Sequence, residues 1–343
     1  MRGLIVGVIV GAGLVASAVA GPGAVDCRWR VVLNRPGPQL AGVAALHDDD
    51  VWAVGADASR GDILHWDGRA WRRTDAALLP LDVSAASATD VWVVGSSSPS
   101  ALLSRSLSEH WNGVHWKVVA VPGGQGWYLR GVAALRRGDA WAVGATGEGP
   151  LLVHWDGRAW RWVATGVSDG VLQAIDLPWA VGTQGMTSLT GSEDPLVVRR
   201  RGGMWGTVTT PSIASVDENL NDVSAVSPSD VWAVGSEDDF GDRAPLIQRL
   251  YGRVWLDESV VGLPPARSAL LTVAAFGPRD VWGAGYKGFT PERTLLAHWD
   301  GTRWTQMPSR PGSLSDVSAL SPHDIWAVGS SGARSLVEHY TCD

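Results

Sequence analysis

Lysine is almost missing from this 343-residue chain: of its 28 basic residues, all but Lys117 and Lys287 are arginine, and the formal charge is −7. Nucleic-acid binders carry a basic face, so the composition argues against a nucleic-acid partner. Phenylalanine and tyrosine are scarce, at three and four, beside 20 tryptophans. That is far from average usage, so one tryptophan-bearing element must recur. Only two cysteines are present, Cys27 and Cys342, and the third thiol or Cys/His cluster of the common metal redox sites is missing. There is no H-E-x-x-H and no phosphate-binding loop. No cofactor is expected, apart from a calcium ion considered below. Beyond residue 20 no apolar run is long enough to cross a membrane.

The first twenty residues form a separate object. Arg2 precedes an uncharged apolar run that ends Ala18-Val19-Ala20, an A-x-A cleavage signal before Gly21. This predicts a secretory signal over 1–20, a short linker over 21–26 and a secreted, extracellular domain over 27–343. A retained anchor is the alternative. Asp26, not a small residue, precedes Cys27, which argues against a lipid-attachment site.

What the chain has in plenty is one hexapeptide. DVWAVG occurs at Asp50–Gly55 and again at Asp230–Gly235, with close variants ending at Gly95, Gly144, Gly285 and Gly329 and a degraded copy, DLPWAVG, ending at Gly182. Its tryptophans are Trp52, Trp92, Trp141, Trp179, Trp232, Trp282 and Trp326. After each of the first six comes a second signature like HWDGRAW at His65–Trp71. Asp-Gly or Asn-Gly between apolar stretches is a strong hairpin signal. A short run such as DVSAL at 316–320 precedes each anchor. One unit therefore reads as four strands, A to D, with VWAVG as strand B. Four antiparallel strands per ~40–50 residues, repeated, describe a β-propeller blade. The expected fold is all-β, seven-bladed and monomeric. VWAVG is apolar on both faces, as a strand covered on both sides should be. Its Asp is expected to bond backbone in the A–B turn, and its Gly to open the next loop.

The seventh unit lacks strand D. Cys27-Arg28-Trp29-Arg30-Val31-Val32 has that strand's pattern, with Trp29 in the place of Trp71. The N-terminal strand is therefore expected to close the ring. This alignment places Cys27 and Cys342 as near neighbours in a hairpin, where a disulfide is reasonable; two unrelated thiols are the alternative.

The order of these motifs resembles tectonin-type propeller lectins, over residues 27 to 342. The D-G-x-x-W turn is similar to the Asp-box of sialidase-like propellers, although Gly follows Asp directly here. Blade design is also similar to kelch and galactose-oxidase propellers, without the kelch double glycine. The repeats are also similar to those of Trp-rich secreted bacterial propellers. These resemblances imply binding more than catalysis.

The A–B and C–D connections, on what is called the bottom, are short and uniform. The B–C and D–A connections, on top, vary, and variable loops on a rigid frame are where binding resides. The histidines that recur in strand C (His65, His110, His154, His298, His339) are expected to be structural. Residues that break the repeat are better candidates. Trp127, Tyr128 and Arg130 suit stacking on a sugar or anchoring a protein; Trp127 as a plug at the loop base is the alternative. Tyr286, Lys287 and Phe289 form a second group. Asp217, Glu218, Asp238, Asp239 and Asp242 are a third, placed in top loops and able in principle to hold Ca²⁺; a solvated acidic loop is the alternative. Trp162 is expected to pack beside Trp160. The functional expectation is a module whose top face takes a glycan or a secreted or cell-surface protein. A protein scaffold, or a hydrolase or lyase with channel carboxylates, is the alternative.

Overall fold

The computed structural model describes residues 27–100, 103–185, 192–213, 216–239, 241–289 and 292–342. The expected signal segment and linker lie outside them. Among the described residues there are seven four-stranded antiparallel sheets and no helix. Each sheet is a blade, and the seven form a ring with the A strands innermost. In the last blade, strand Cys27–Pro36 pairs with Arg334–Cys342, with Cys27 opposite Cys342. The two sulfurs are bonded. The N-terminal strand therefore closes the ring as expected. A disulfide is compatible with an extracellular location.

Tryptophan fills the wedges between blades. All seven strand-B tryptophans are buried. Each meets aromatic rings of the following blade: Trp52 packs on Trp111 and Trp116, and Trp92 on Trp155 and Trp160. Trp29 stands edge-on to Trp282 at 5.8 Å, as Trp71 stands to Trp326 at 6.0 Å. The N-terminal strand thus supplies the outer-strand tryptophan of the last blade, beside Tyr340, which also packs on Trp282 at 5.0 Å. The indole, the largest side chain, fills the gap between splayed sheets, and truncating one to Ala would cost about 3–5 kcal/mol.

The hexapeptide's other two signature residues have roles different from those expected. The aspartate pairs with a strand-C side chain: Asp50 with His65 at 2.8 Å, Asp90 with His110 at 2.7 Å and Asp139 with His154 at 2.9 Å. The imidazole in turn stacks on the strand-B tryptophan, as His65 does on Trp52 at 3.9 Å. Register explains this, because Trp52 lies opposite His65 and the aspartate two residues earlier shares that face. The glycine does not open a loop. It lies inside strand B, where strand A bulges by one residue between Leu129 and Gly131 and at the matching point of every blade. A Cβ on Gly144 would sit 2.0 Å from the Tyr128 carbonyl oxygen, and one on Gly55 2.1 Å from that of Gln39. Hydrogen takes the place of a side chain where the bulged backbone presses in.

Inner strands are linked across the blade boundaries by side chains. Asp82 accepts the N–H of Val132, Asp222 that of Val273 and Asp316 that of Val43, each at 2.7–2.8 Å. Ser84, Ser224 and Ser318 accept from Ala134, Ala275 and Ala45. Edge-strand N–H groups that would otherwise face the channel unpaired are thereby satisfied.

Candidate functional site

The extra residue of each strand-A bulge points the site out. These residues are Leu81, Arg130, Gln173, Asn221, Leu271 and Ser315, with Ala41 in blade one. One per blade, they lie toward the top end of the channel. The ring is chemically uneven: it is apolar in blade two, cationic in blade three and amide-bearing in blades four and five.

Two depressions meet at Tyr128 and Arg130. The first, of about 410 Å³, is lined by Ala56, Ala58, Leu79, Leu81 and Pro99 together with that pair. The second, of about 240 Å³, is lined by Gln173, Glu193, Asn219, Asn221 and Arg243 with the same pair. The Arg130 guanidinium lies over the Tyr128 ring at 5.2 Å, a cation–π contact that holds the exposed side chain against the saddle. Burial pushes the Glu193 carboxyl up, as does Asp217 nearby, while Arg243 acts against both. Arg243 donates to the Tyr286 hydroxyl at 3.2 Å and to Asp238 at 3.3 Å. One side of the saddle is therefore apolar and the other holds paired charges and amides.

The structure gathers some of the sequence candidates and separates others. Tyr128 and Arg130 form the saddle, and Tyr286 and Asp238 reach its polar side through Arg243. Trp127 is half-buried against the core cluster between blades two and three, under Gly123. It plugs the loop base and offers no exposed platform. Lys287 turns outward to Gln306 at 2.7 Å, and Phe289 is exposed beneath Arg267. Trp162 does not pack; it is 60% exposed on a three-residue outer strand.

The acidic group is not on loops. Asp217 and Glu218 open an inner strand, Asp217–Ser227, while Asp238 and Asp239 end strand Asp230–Asp239 and Asp242 starts the next. Tyr286 and Lys287 likewise end strand Asp280–Lys287. Ladder bonds come from backbone, so a polar run can pair as well as an apolar one. Pairing sets Asp217 opposite Asp238, and Glu218 opposite Glu237 on the other face. Asp217 accepts the Glu193 N–H, buried Glu218 that of Ile213, and Asp238 that of Gly241. Among the described residues, sets of three metal-capable ligand atoms within 4.8 Å are His47, Asp48 and Asp49, and the disulfide pair with His323; the five acidic candidates do not form such a set.

The channel does gather carboxylates: Asp176, whose Oδ2 accepts the Ala225 N–H, and the trio Asp82, Asp222 and Asp316. Burial raises all three, Asp222 to about 6, and their mutual repulsion raises Asp316 further. Both oxygens of each are already taken by backbone N–H groups. Gly166 to Gly170 spells G-x-S-x-G, yet it lies between two strands and not on a strand-to-helix turn, where the nucleophile of that motif belongs.

No protein-family model and no curated protein matches this sequence. Solved structures do. The fold is shared with known propellers. The chain is similar to YCF48 bound to D1 peptide, with a TM-score of 0.64 at 17% identity, covering 96% of this chain and 100% of that one. It is similar to the RRP9 WD40 repeats, at 0.63 and 12%, covering 93% and 100%. It is also similar to the GH74 xyloglucanase from Xanthomonas campestris, at 0.59 and 12%, covering 89% of this chain and 52% of that one. At these identities the likeness is one of fold.

The ring of bulge residues was missed by sequence reasoning, yet a signal exists. In six blades the residue before the Gly, Asp or Thr of x-[GDT]-V, as in Leu81-Asp82-Val83 and Arg130-Gly131-Val132, forms an aligned column, while blade four reads Gln173-Ala174-Ile175 at that place.

Proposed function

We propose that the protein is a secreted, monomeric binding module that takes a segment of another protein on its top face. The observation that carries this reading is the Tyr128–Arg130 saddle between an apolar and a polar depression. A peptide would lay an apolar side chain against Leu79, Leu81 and Pro99. It would set a carboxylate or backbone carbonyl on Arg130, with amide partners in Gln173, Asn219 and Asn221. Arginine and tyrosine are the residues on which interfaces most often turn. A propeller of the same fold is described with a bound peptide, which is consistent with a protein partner.

Glycan binding, to which the tectonin-like motifs point, is the second reading. Tyr128 supports it, but Trp127, the second ring of the expected pair, is half-buried and faces inward. The channel carboxylates give little support to a hydrolase, because both oxygens of Asp82, Asp222 and Asp316 already accept from backbone donors.

The test is a phage-displayed linear-peptide selection against the chain, run beside a glycan array, with Leu81→Asp and Arg130→Glu as variants. Peptide binding weakened at least tenfold in both variants is the expected result. Binding of glycans alone, lost in Arg130→Glu, would move the assignment to the lectin reading.

A further inference from the structure

Six blades obey one rule. The residue two before the strand-B tryptophan is an aspartate, and it pairs with the side chain that strand C lays on that tryptophan. Five such pairs are Asp–His, and the sixth is Asp230 with Arg249 at 2.9 Å. Blade four keeps the cation and loses the carboxylate. Leu177 stands where the aspartate belongs. Asp176, one residue earlier, accepts the N–H of Ala225 at 2.8 Å on the channel side. Strand C presents Arg199, whose guanidinium lies over the Trp179 ring at 4.5 Å and donates to the Pro228 carbonyl at 3.1 Å.

Two more arginines follow. Strand alternation puts Arg201 on the face of Arg199, about 6.6 Å further along the chain, and Arg200 on the other face, over Trp141 at 4.8 Å. Burial lowers Arg199, and the charge of Arg201 lowers it further. Among the described residues no carboxylate lies within 4 Å of any of the three, whereas Arg249 at the matching place has both Asp230 and Glu258. Uncompensated positive charge is thus concentrated at one point of a chain whose net charge is −7. Arginine forks match oxyanion geometry and desolvate readily, and Trp179 holds one fork in place.

We infer that Arg199 and Arg201 form an anion site at the bottom of blade four, taking a tetrahedral oxyanion, the dianionic phosphate or the monoanionic sulfate group of a monoester. It is separate from the top-face site and does not depend on it.

The probes are inorganic phosphate and sulfate, titrated calorimetrically into the full chain at constant ionic strength, with chloride as the reference anion. The expected result is saturable binding at one site, weakened at least tenfold in Arg201→Gln and in Arg199→Gln and kept within twofold in Arg200→Gln. Arg201 is exposed, so its variant should fold even if loss of the Arg199–Trp179 contact destabilises the other. Phosphoserine and a sulfated monosaccharide, titrated in parallel, separate the two ester sources. Binding weakened equally by Arg200→Gln would show diffuse screening instead of a site. Absence of saturation with every probe, or equal affinity in Arg201→Gln, would overturn the assignment.

Discussion

Asp316 in the last blade accepts a hydrogen bond at 2.7 Å from the backbone N–H of Val43 in the first. This contact joins the inner strands at the point where the ring closes, while the Trp29 strand and the disulfide act at the outer edge. It also buries a carboxylate beside the channel carboxylates Asp82 and Asp222; burial raises it most, and their charges raise it further.

A pH dependence follows from that burial and crowding. Asp82, Asp222 and Asp316 are raised above the ordinary carboxylate value near 3.9, Asp222 to about 6. The folded state therefore holds protons that the unfolded chain has released. Stability from this source is full below about pH 4 and is lost as pH rises through the folded values near 6 and above. Asp67, Asp156 and Asp300, held down to about 2 by Arg72, by backbone donors and by Thr302, act in the opposite sense below pH 4. Unfolding free energies from urea titrations should be higher at pH 5 than at pH 8, by on the order of 1–2 kcal/mol after screening through the channel. Asp316→Asn should flatten the difference; a profile that rises steadily from pH 5 to 8 would contradict it.

Removing the disulfide should loosen the outer edge of the last blade. Cys27→Ser with Cys342→Ser frees a bond that spans 315 residues, and the cost should be about 2–5 kcal/mol. Trp29 should become more solvent-exposed, red-shifting fluorescence before the main unfolding transition. Thermal melts with and without reductant give the same comparison on the native chain.

A single methyl group tests the bulge. Gly144→Ala would drive its Cβ against the Tyr128 carbonyl, 2.0 Å away, whereas nothing lies within 4 Å at Gly147. The first variant should lose more than about 3 kcal/mol or fail to fold, and Gly147→Ala should stay within about 0.5 kcal/mol of the parent. Equal stability of the two would mean that strand A yields at no cost.

His110 holds the most buried of the anchor aspartates, Asp90, whose side chain is 4% exposed. His110→Ala leaves that carboxylate without its donor and Trp92 without its stacking partner. Denaturant unfolding should show a loss of about 2–4 kcal/mol. Asp90→Asn in the same background should recover part of it.

The chemistry of the site was harder to see than the ring. Tyr128 and Arg130 stood out because they break the repeat. Gln173, Asn219 and Leu81 did not, because they occupy ordinary places in recurring strands. Trp127 looked like a contact since its neighbours are glycines, and those glycines turn out to leave room for its ring to fold inward. The acidic stretch around Asp238 looked like a loop because its side chains are polar, while its backbone pairs.

The recurrence of DVWAVG and the Asp-Gly turns determined a seven-bladed ring, and the strand-like Cys27–Val32 segment determined how it closes. These are local signals: strand period, turn chemistry and one large side chain per unit. Which face of each strand meets which neighbour was decided only when the blades came together. The bulge opposite Gly144, the Asp–His pairs and the clamps from Asp82, Asp222 and Asp316 each join residues on different strands. Their geometry depends on register and on the angle between sheets, and neither is written in any one stretch of the chain.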